Sequence, residues 1–230
     1  MLARRSTIQN KANIPVDLPR LVPSFSSKGF PFFKKGRTRC SEVTNALALT
    51  GPHLKQSFLI SAYDIHHELV QNSEPYITTA ELVFLDSGGY ELAKDYDSTE
   101  PKQPPYSSLT FRERDYRAVI KALPKSSQVI VSNFDWATRK KELSEQLKSA
   151  NRLFATYPQF LSNFIIKPGT RHFLDIDLVI SQIKHMHAFD VIGVTEKELG
   201  HNLIDRLKAI AKLRAALDRE HVVAPLHIWG

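Results

Sequence analysis

The sequence predicts an α/β fold, a (β/α)8-type (TIM) barrel that is incomplete at its C-terminus. Three observations predict it. Continuous apolar, β-branched runs alternate with segments of helical period, the pattern of parallel strands covered by helices. Polar or charged residues close successive runs at Asp64, Asp86, Asp135, Lys167 and Glu196, and barrel enzymes assemble their sites from the carboxyl ends of several strands. The chain also lacks a G-x-G-x-x-G or Walker A sequence, the kind of phosphate loop that doubly wound sheets often carry. A length of 230 residues suits one domain. It is assigned to 19–230, behind an irregular arm at 1–18.

The elements follow in order. Leu21–Phe25 is a short strand-like start, and 41–49 has the composition of a first helix. Phe58–Asp64 and Leu82–Leu85 are apolar strands. A loop at 91–107 holds Pro101, Pro104 and Pro105. Thr110 and Glu113 have capping-box spacing, which predicts a helix from Thr110 with Tyr116, Val119, Ile120 and Leu123 inward. Val129–Val131 is a strand, then 139–155 a helix with Leu143, Leu147, Ala150 and Phe154 inward. The strand Phe164–Lys167 precedes a helix marked by Ile176, Val179, Ile180 and Ile183. The strand Val191–Val194 precedes a helix whose stripe is Leu203, Leu207, Ile210, Leu213 and Leu217. Val222–Ile228 is the last strand, interrupted by Pro225.

Composition narrows the function. Hydrophobic residues are 42% of the chain, enough for a sizeable core. No run of 18 apolar residues exists, so no membrane span is expected. The polar, basic N-terminus has no apolar segment of the secretory kind, and a cytoplasmic location is the expectation. A single cysteine, Cys40, excludes an internal disulfide framework and a multi-cysteine zinc site. The histidines His66, His67, His185 and His187 lack partners at ligand spacing, so no metal is expected. The net charge of +7 favours a polyanionic partner such as nucleic acid. Lys34, Lys35, Arg37 and Arg39 form the cluster chosen for phosphate contact; Arg4-Arg5 and Arg139–Lys141 are weaker ones. Each cluster has an ordinary alternative as a solvated face.

The most informative stretch is Leu82–Glu91, in which a buried strand ends in Asp86-Ser87-Gly88-Gly89-Tyr90. That order sets a carboxylate on a turn whose backbone a ligand can approach closely. A plain turn is the alternative. Asp86-Ser87-Gly88-Gly89-Tyr90 resembles the Asp-Ser-Gly-Gly-aromatic signature of the tRNA-guanine transglycosylases. These are (β/α)8 barrels that exchange guanine for a 7-deazaguanine. In the same order, Ser61-Ala62-Tyr63-Asp64 resembles the family's tyrosine-bearing strand end, and Ser132-Asn133-Phe134-Asp135 its Phe-Asp segment. Ile192-Gly193-Val194 resembles its base-pocket strand, and Pro225–Gly230 the strand after it. The resemblance covers roughly 20–230 and points to a divergent branch rather than to the standard bacterial enzyme.

The resemblance implies base exchange through a covalent glycosyl-enzyme intermediate, with tRNA or DNA and a guanine or 7-deazaguanine base as partners. Asp86 would be the general acid/base. Ser87, Gly88 and Gly89 would line the pocket floor, and Tyr90 would stack on the base. Asp135 would accept from the purine N–H edge, while Gly193 and Val194 would offer backbone groups. Lys167 would touch a phosphate, and His227 would point into the barrel or its mouth. Each residue has a structural alternative: Asp135 as the cap of a helix beginning near 138, Tyr90 as a core aromatic, Lys167 as a snorkelling strand-end lysine, Glu196 as a first-turn acid.

Two departures stand out. The family's nucleophilic aspartate lies just beyond the strand matching Pro225–Gly230, and no position here matches it. Its zinc site, three cysteines and a histidine, has no counterpart, so no cofactor is expected. Truncation is the expected reason, with a degenerate form or a separately supplied part as the others. The alternative function is a non-catalytic homologue that binds nucleic acid or a catalytic subunit, as part of a homo- or hetero-dimer. A third is an unrelated barrel hydrolase or lyase using Asp86 and Asp135.

Overall fold

The computed structural model describes residues 6–9, 15–27, 32–35, 38–41, 43–50, 57–71, 73–92, 109–125, 128–135 and 140–230. The chain divides into two compact units, Leu21–Thr138 and Met1–Arg20 with Arg139–Gly230. The span 19–230, predicted as one domain, is therefore distributed over both. Each unit is α/β with parallel strands, which agrees with the predicted class. Within the segment 1–18, expected to be irregular, β1 (Ser6–Gln9) and β2 (Pro15–Leu18) pair antiparallel.

The unit Leu21–Thr138 contains β3 (Ser24–Phe25), β4 (Phe32–Lys35), β5 (Thr38–Ser41), α1 (Val43–Thr50) and β6 (Ser57–Ser61). It continues with α2 (Ala62–His66), α3 (Glu74–Thr79), β7 (Leu82–Asp86), α4 (Gly89–Leu92), α5 (Glu113–Ala122) and β8 (Val129–Ser132). Strands β3, β6, β7 and β8 lie side by side in that order, all parallel. Every residue of β6 and of β7 is buried, which explains their unbroken apolar sequences. The strand predicted to run to Asp64 stops at Ser61. From Ala62 the chain is already helical, so Asp64 stands in the first turn of α2 rather than at a strand end. Helix α5 begins at Glu113, three residues after Thr110. Its first turn is capped by Asp115 instead of Thr110 or Glu113: Asp115 Oδ2 accepts from the Arg112 N–H at 2.9 Å. Tyr116, Val119 and Ile120 are buried as predicted, and the Tyr116 hydroxyl donates to the Ser132 carbonyl at the end of β8.

The other unit continues with α6 (Leu143–Thr156), β9 (Leu161–Ile166), α7 (Ile176–Ser181), β10 (Val191–Thr195), α8 (Leu203–Arg219) and β11 (Leu226–Trp229). Strands β9, β10 and β11 are parallel neighbours in chain order. Their faces divide cleanly. Phe164, Ile166, Ile192 and Val194 join Leu143, Leu147, Val179, Leu213 and Leu217 of the helices in one core. Asn163, Ile165, Gly193 and Trp229 meet on the opposite face. Helix α6 starts at Leu143, later than the expected 139. Gln146 ties it to the end of β9: its amide donates to the carbonyls of Lys141 and Lys167 and accepts from the Lys167 N–H.

The stripe expected on α8 is only half right. Leu213 and Leu217 are buried, but Leu203 and Leu207 are exposed, and Ala209 and Ala216 take part in the core instead. No described helix is long and apolar enough to cross a membrane. Of the loop expected at 91–107, Glu91 and Leu92 belong to α4, and 93–107 lie outside the described residues, as do Arg4-Arg5 and Arg139.

Candidate functional site

The expected site residues of β7 and its turn assemble in the unit Leu21–Thr138. Strand β7 ends at Asp86, which is adjacent to Ser61 of β6 in the ladder. Asp86 is buried, and its Oδ2 accepts from the Gly88 N–H at 3.2 Å. The turn needs its glycines for two reasons. Gly88 has φ of +85°, and a Cβ there would stand 2.7 Å from the Tyr63 Cβ. A Cβ on Gly89 would stand 2.5 Å from Asp135 Oδ2, so the Asp135 carboxylate occupies the space that a side chain would fill. Ser87 is fully buried, and its hydroxyl oxygen accepts from the Asp135 N–H at 2.9 Å. Asp135 is thus hydrogen-bonded to the turn through its N–H and packed against Gly89 through its side chain, across 48 residues of sequence. The next described helix, α6, starts at Leu143 with Glu142 as its cap residue, and positions 136–139, where a helix capped by Asp135 would begin, lie outside the described residues. Tyr90 is 41% exposed and is not a core aromatic.

Behind the turn, Tyr63 is buried, with its hydroxyl oxygen accepting from the Leu109 N–H at 2.7 Å. Its ring packs edge-on against His67 and Phe111. Two acids to which the motif reading gave no role, Asp64 and Glu91, lie in this region. Asp64 is fully buried, and its Oδ2 accepts from the Ser27 N–H at 2.7 Å. Glu91 is fully buried, and its Oε1 accepts from the Ser26 hydroxyl. Ser26 and Ser27 follow β3, Asp64 follows β6, and Asp86 and Glu91 follow β7, so three neighbouring strand ends supply the cluster.

Electrostatics follow from the burial. Loss of solvation pushes the Asp86 carboxyl up to about 7, with Glu91 and then Asp135 adding to the rise. Burial and then Asp64 push Glu91 up to about 7. Burial raises Asp64 to about 6, against the lowering effect of its bonds from Ser27. Asp86 is therefore poised to exchange a proton near neutral pH, the condition for a general acid/base. Asp64 was readable only as one of several polar strand ends with no role of its own, and Glu91 only as the start of the loop expected at 91–107.

The remaining expected residues lie elsewhere. Gly193 and Val194 are in β10, in the other unit, paired with β9 on one side and β11 on the other. A Cβ on Gly193 would stand 2.8 Å from Trp229 Nε1 and 3.0 Å from Asn163 Oδ1. The Val194 side chain points into the helix-side core. Burial pushes His227, on β11, down to about 4, and its ring lies edge-on to Trp229. Lys167 donates to Thr195 at 3.0 Å and to Glu198 at 3.3 Å. Glu196 is ion-paired with Arg206 at 2.6 Å. Lys34 is opposite Arg39, and Lys35 opposite Thr38, in the β4–β5 hairpin. Arg37 lies outside the described residues. Among the described residues no group of three acids, histidines or cysteines is arranged to hold a metal.

No protein-family model and no curated protein matches this chain. The functional reading therefore rests on the residues.

Proposed function

We propose that this chain catalyses a transglycosylase-like base exchange, in which guanine in tRNA or DNA is replaced by a 7-deazaguanine, with Asp86 as the proton-transfer group. The supporting observation is the position of Asp86: a buried carboxyl, raised to about 7, on a glycine turn to which Asp135 is fastened. In this reaction a carboxylate displaces the base from C1′ of the sugar. Asp86 gives its proton to the leaving guanine, and the resulting carboxylate takes one from the incoming base. A carboxyl that ionises near neutral pH serves both directions. Asp135 would accept from the N–H edge of the purine and Tyr90, partly exposed, would stack on it. The proposal assigns no residue to the nucleophile. The barrel architecture belongs to the same reading. In both units the strands add in chain order with no reversal, as a (β/α)8 barrel requires and a switch-point sheet does not.

The test is incorporation of labelled guanine or 7-deazaguanine into tRNA and into DNA by the full chain. Incorporation into either is expected, and Asp86→Asn lowers it by about 10²–10⁴-fold. No incorporation into either substrate overturns the reading. Asp135→Ala weakens base binding by on the order of tenfold or more in calorimetry, since a charge-assisted bond is lost.

A further inference from the structure

Asp64 and Glu91 are buried acids that the exchange reaction, as described, leaves unused. Both are fully buried, and Asp86 is nearly so. One oxygen of each, Asp64 Oδ1 and Glu91 Oε2, has no hydrogen-bond partner among the described residues. No described lysine or arginine forms an ion pair with any of the three. The described titratable groups nearby are an acid and two histidines. Asp135, after β8, is a further acid. Burial and the adjacent His66 hold His67, next to α2, below its ordinary range, so it is neutral near pH 7. The rings of Tyr63, His66 and Phe111 pack around His67.

A buried carboxylate without a cation is unfavourable by far more than the fold can absorb, and three together more so. Protons resolve the conflict at once: a protonated carboxyl has no charge, and its O–H supplies the donor that an orphaned oxygen lacks. We propose that Glu91 and Asp64 are positioning residues for Asp86, sharing protons with it in one buried network that holds no cation among the described residues and keeps Asp86 in its proton-donating form. When Asp86 releases its proton to a leaving base, the new negative charge spreads over the network by proton shifts from Glu91 and Asp64. The proton from the incoming base then restores the resting state, so none is gained or lost per turnover. The proposal rests on the base-exchange reading for its catalytic consequence and on the cluster alone for the sharing of protons.

The experiment is a carbon-13 NMR titration of the full chain, labelled at the Asp and Glu carboxyls, from pH 4 to 9. Glu91→Gln removes a negative neighbour, so the Asp86 midpoint falls by about one pH unit, a tenfold change in its acid form above the midpoint. Asp64→Asn lowers the Glu91 midpoint in the same way. Ser26→Ala, which removes a donor that favours ionised Glu91, raises the Glu91 midpoint and covers the case of an unfolded Glu91→Gln. The basic limb of the exchange rate moves down in pH with the Asp86 midpoint in Glu91→Gln, which a merely structural role for Glu91 would not cause. Unmoved midpoints in the folded variants overturn the proposal. So does a shift of all three resonances on adding equimolar Mg²⁺ or Mn²⁺, because a cation would then balance the cluster. If exchange activity is absent while the midpoints still move, the base-exchange reading falls and the proton network stands.

Discussion

At the scale of the residue, the Asp86–Tyr90 turn depends on what is missing from its glycines. Gly88 lies in the left-handed region against Tyr63, and the Gly89 space holds the Asp135 carboxylate. Gly88→Ala meets both the unfavourable φ and the Tyr63 Cβ, and is expected to destabilise the protein by about 1–3 kcal/mol in urea denaturation. A wild-type midpoint would remove the strain from this account. Ser87→Ala deletes the acceptor of the Asp135 N–H and is expected to lower stability by about 1–2 kcal/mol. It should also lower base affinity, because Asp135 loses its hydrogen bond to the turn. The order Asp86-Ser87-Gly88-Gly89 was readable as a ligand-approachable turn, since glycine and short polar residues have few other uses after a buried strand. The meeting of Asp135 with Gly89 was not, since 46 positions separate them and no local rule joins them.

At the scale of the element, periodicity located the strands and helices but misjudged ends and faces. Strand β6 stops at Ser61 although Tyr63 would continue its apolar run; the chain turns there, and Tyr63 is buried from a helix instead. Helix α8 shows the same limit. Leu203, Leu207, Ile210, Leu213 and Leu217 suggested one stripe, yet the buried residues are Ala209, Leu213, Ala216 and Leu217, with Ile210 partly buried against them. Small residues face the sheet closely while the first-turn leucines project outward. Leu213→Ala is therefore expected to lower stability by about 2–5 kcal/mol, whereas Leu207→Ser stays within about 0.5 kcal/mol. Equal losses for both in thermal melts would mean that the stripe predicted from spacing is the buried one.

At the scale of the whole molecule, the buried acids set a pH dependence opposite to that of ordinary surface carboxylates. Folding raises Asp64 to about 6 and Asp86 to about 7 from 3.8, and Glu91 to about 7 from 4.5. The folded chain thus holds protons that the unfolded chain has released. Their stabilising contribution is complete below about pH 4 and is lost as pH rises through 6 to 7. His227, lowered to about 4 from 6.5, acts the other way: its contribution is complete above 6.5 and is lost as pH falls towards 4. The double variant Asp86→Asn/Glu91→Gln, free of two of the acids, is expected to gain on the wild type between pH 5 and pH 8 by a few kcal/mol in denaturant titrations. A constant difference across that range would show that the two acids are not held protonated by the fold. By itself the sequence determined the α/β alternation, the buried strands and the turn bearing Asp86, because apolar periodicity and glycine placement are local properties. Only the tertiary structure decided that Asp64 and Glu91 join Asp86, that Asp135 rests on Gly89, and which helix faces are covered. These outcomes depend on which strand ends become neighbours, and burial that raises a carboxyl exists only once they do.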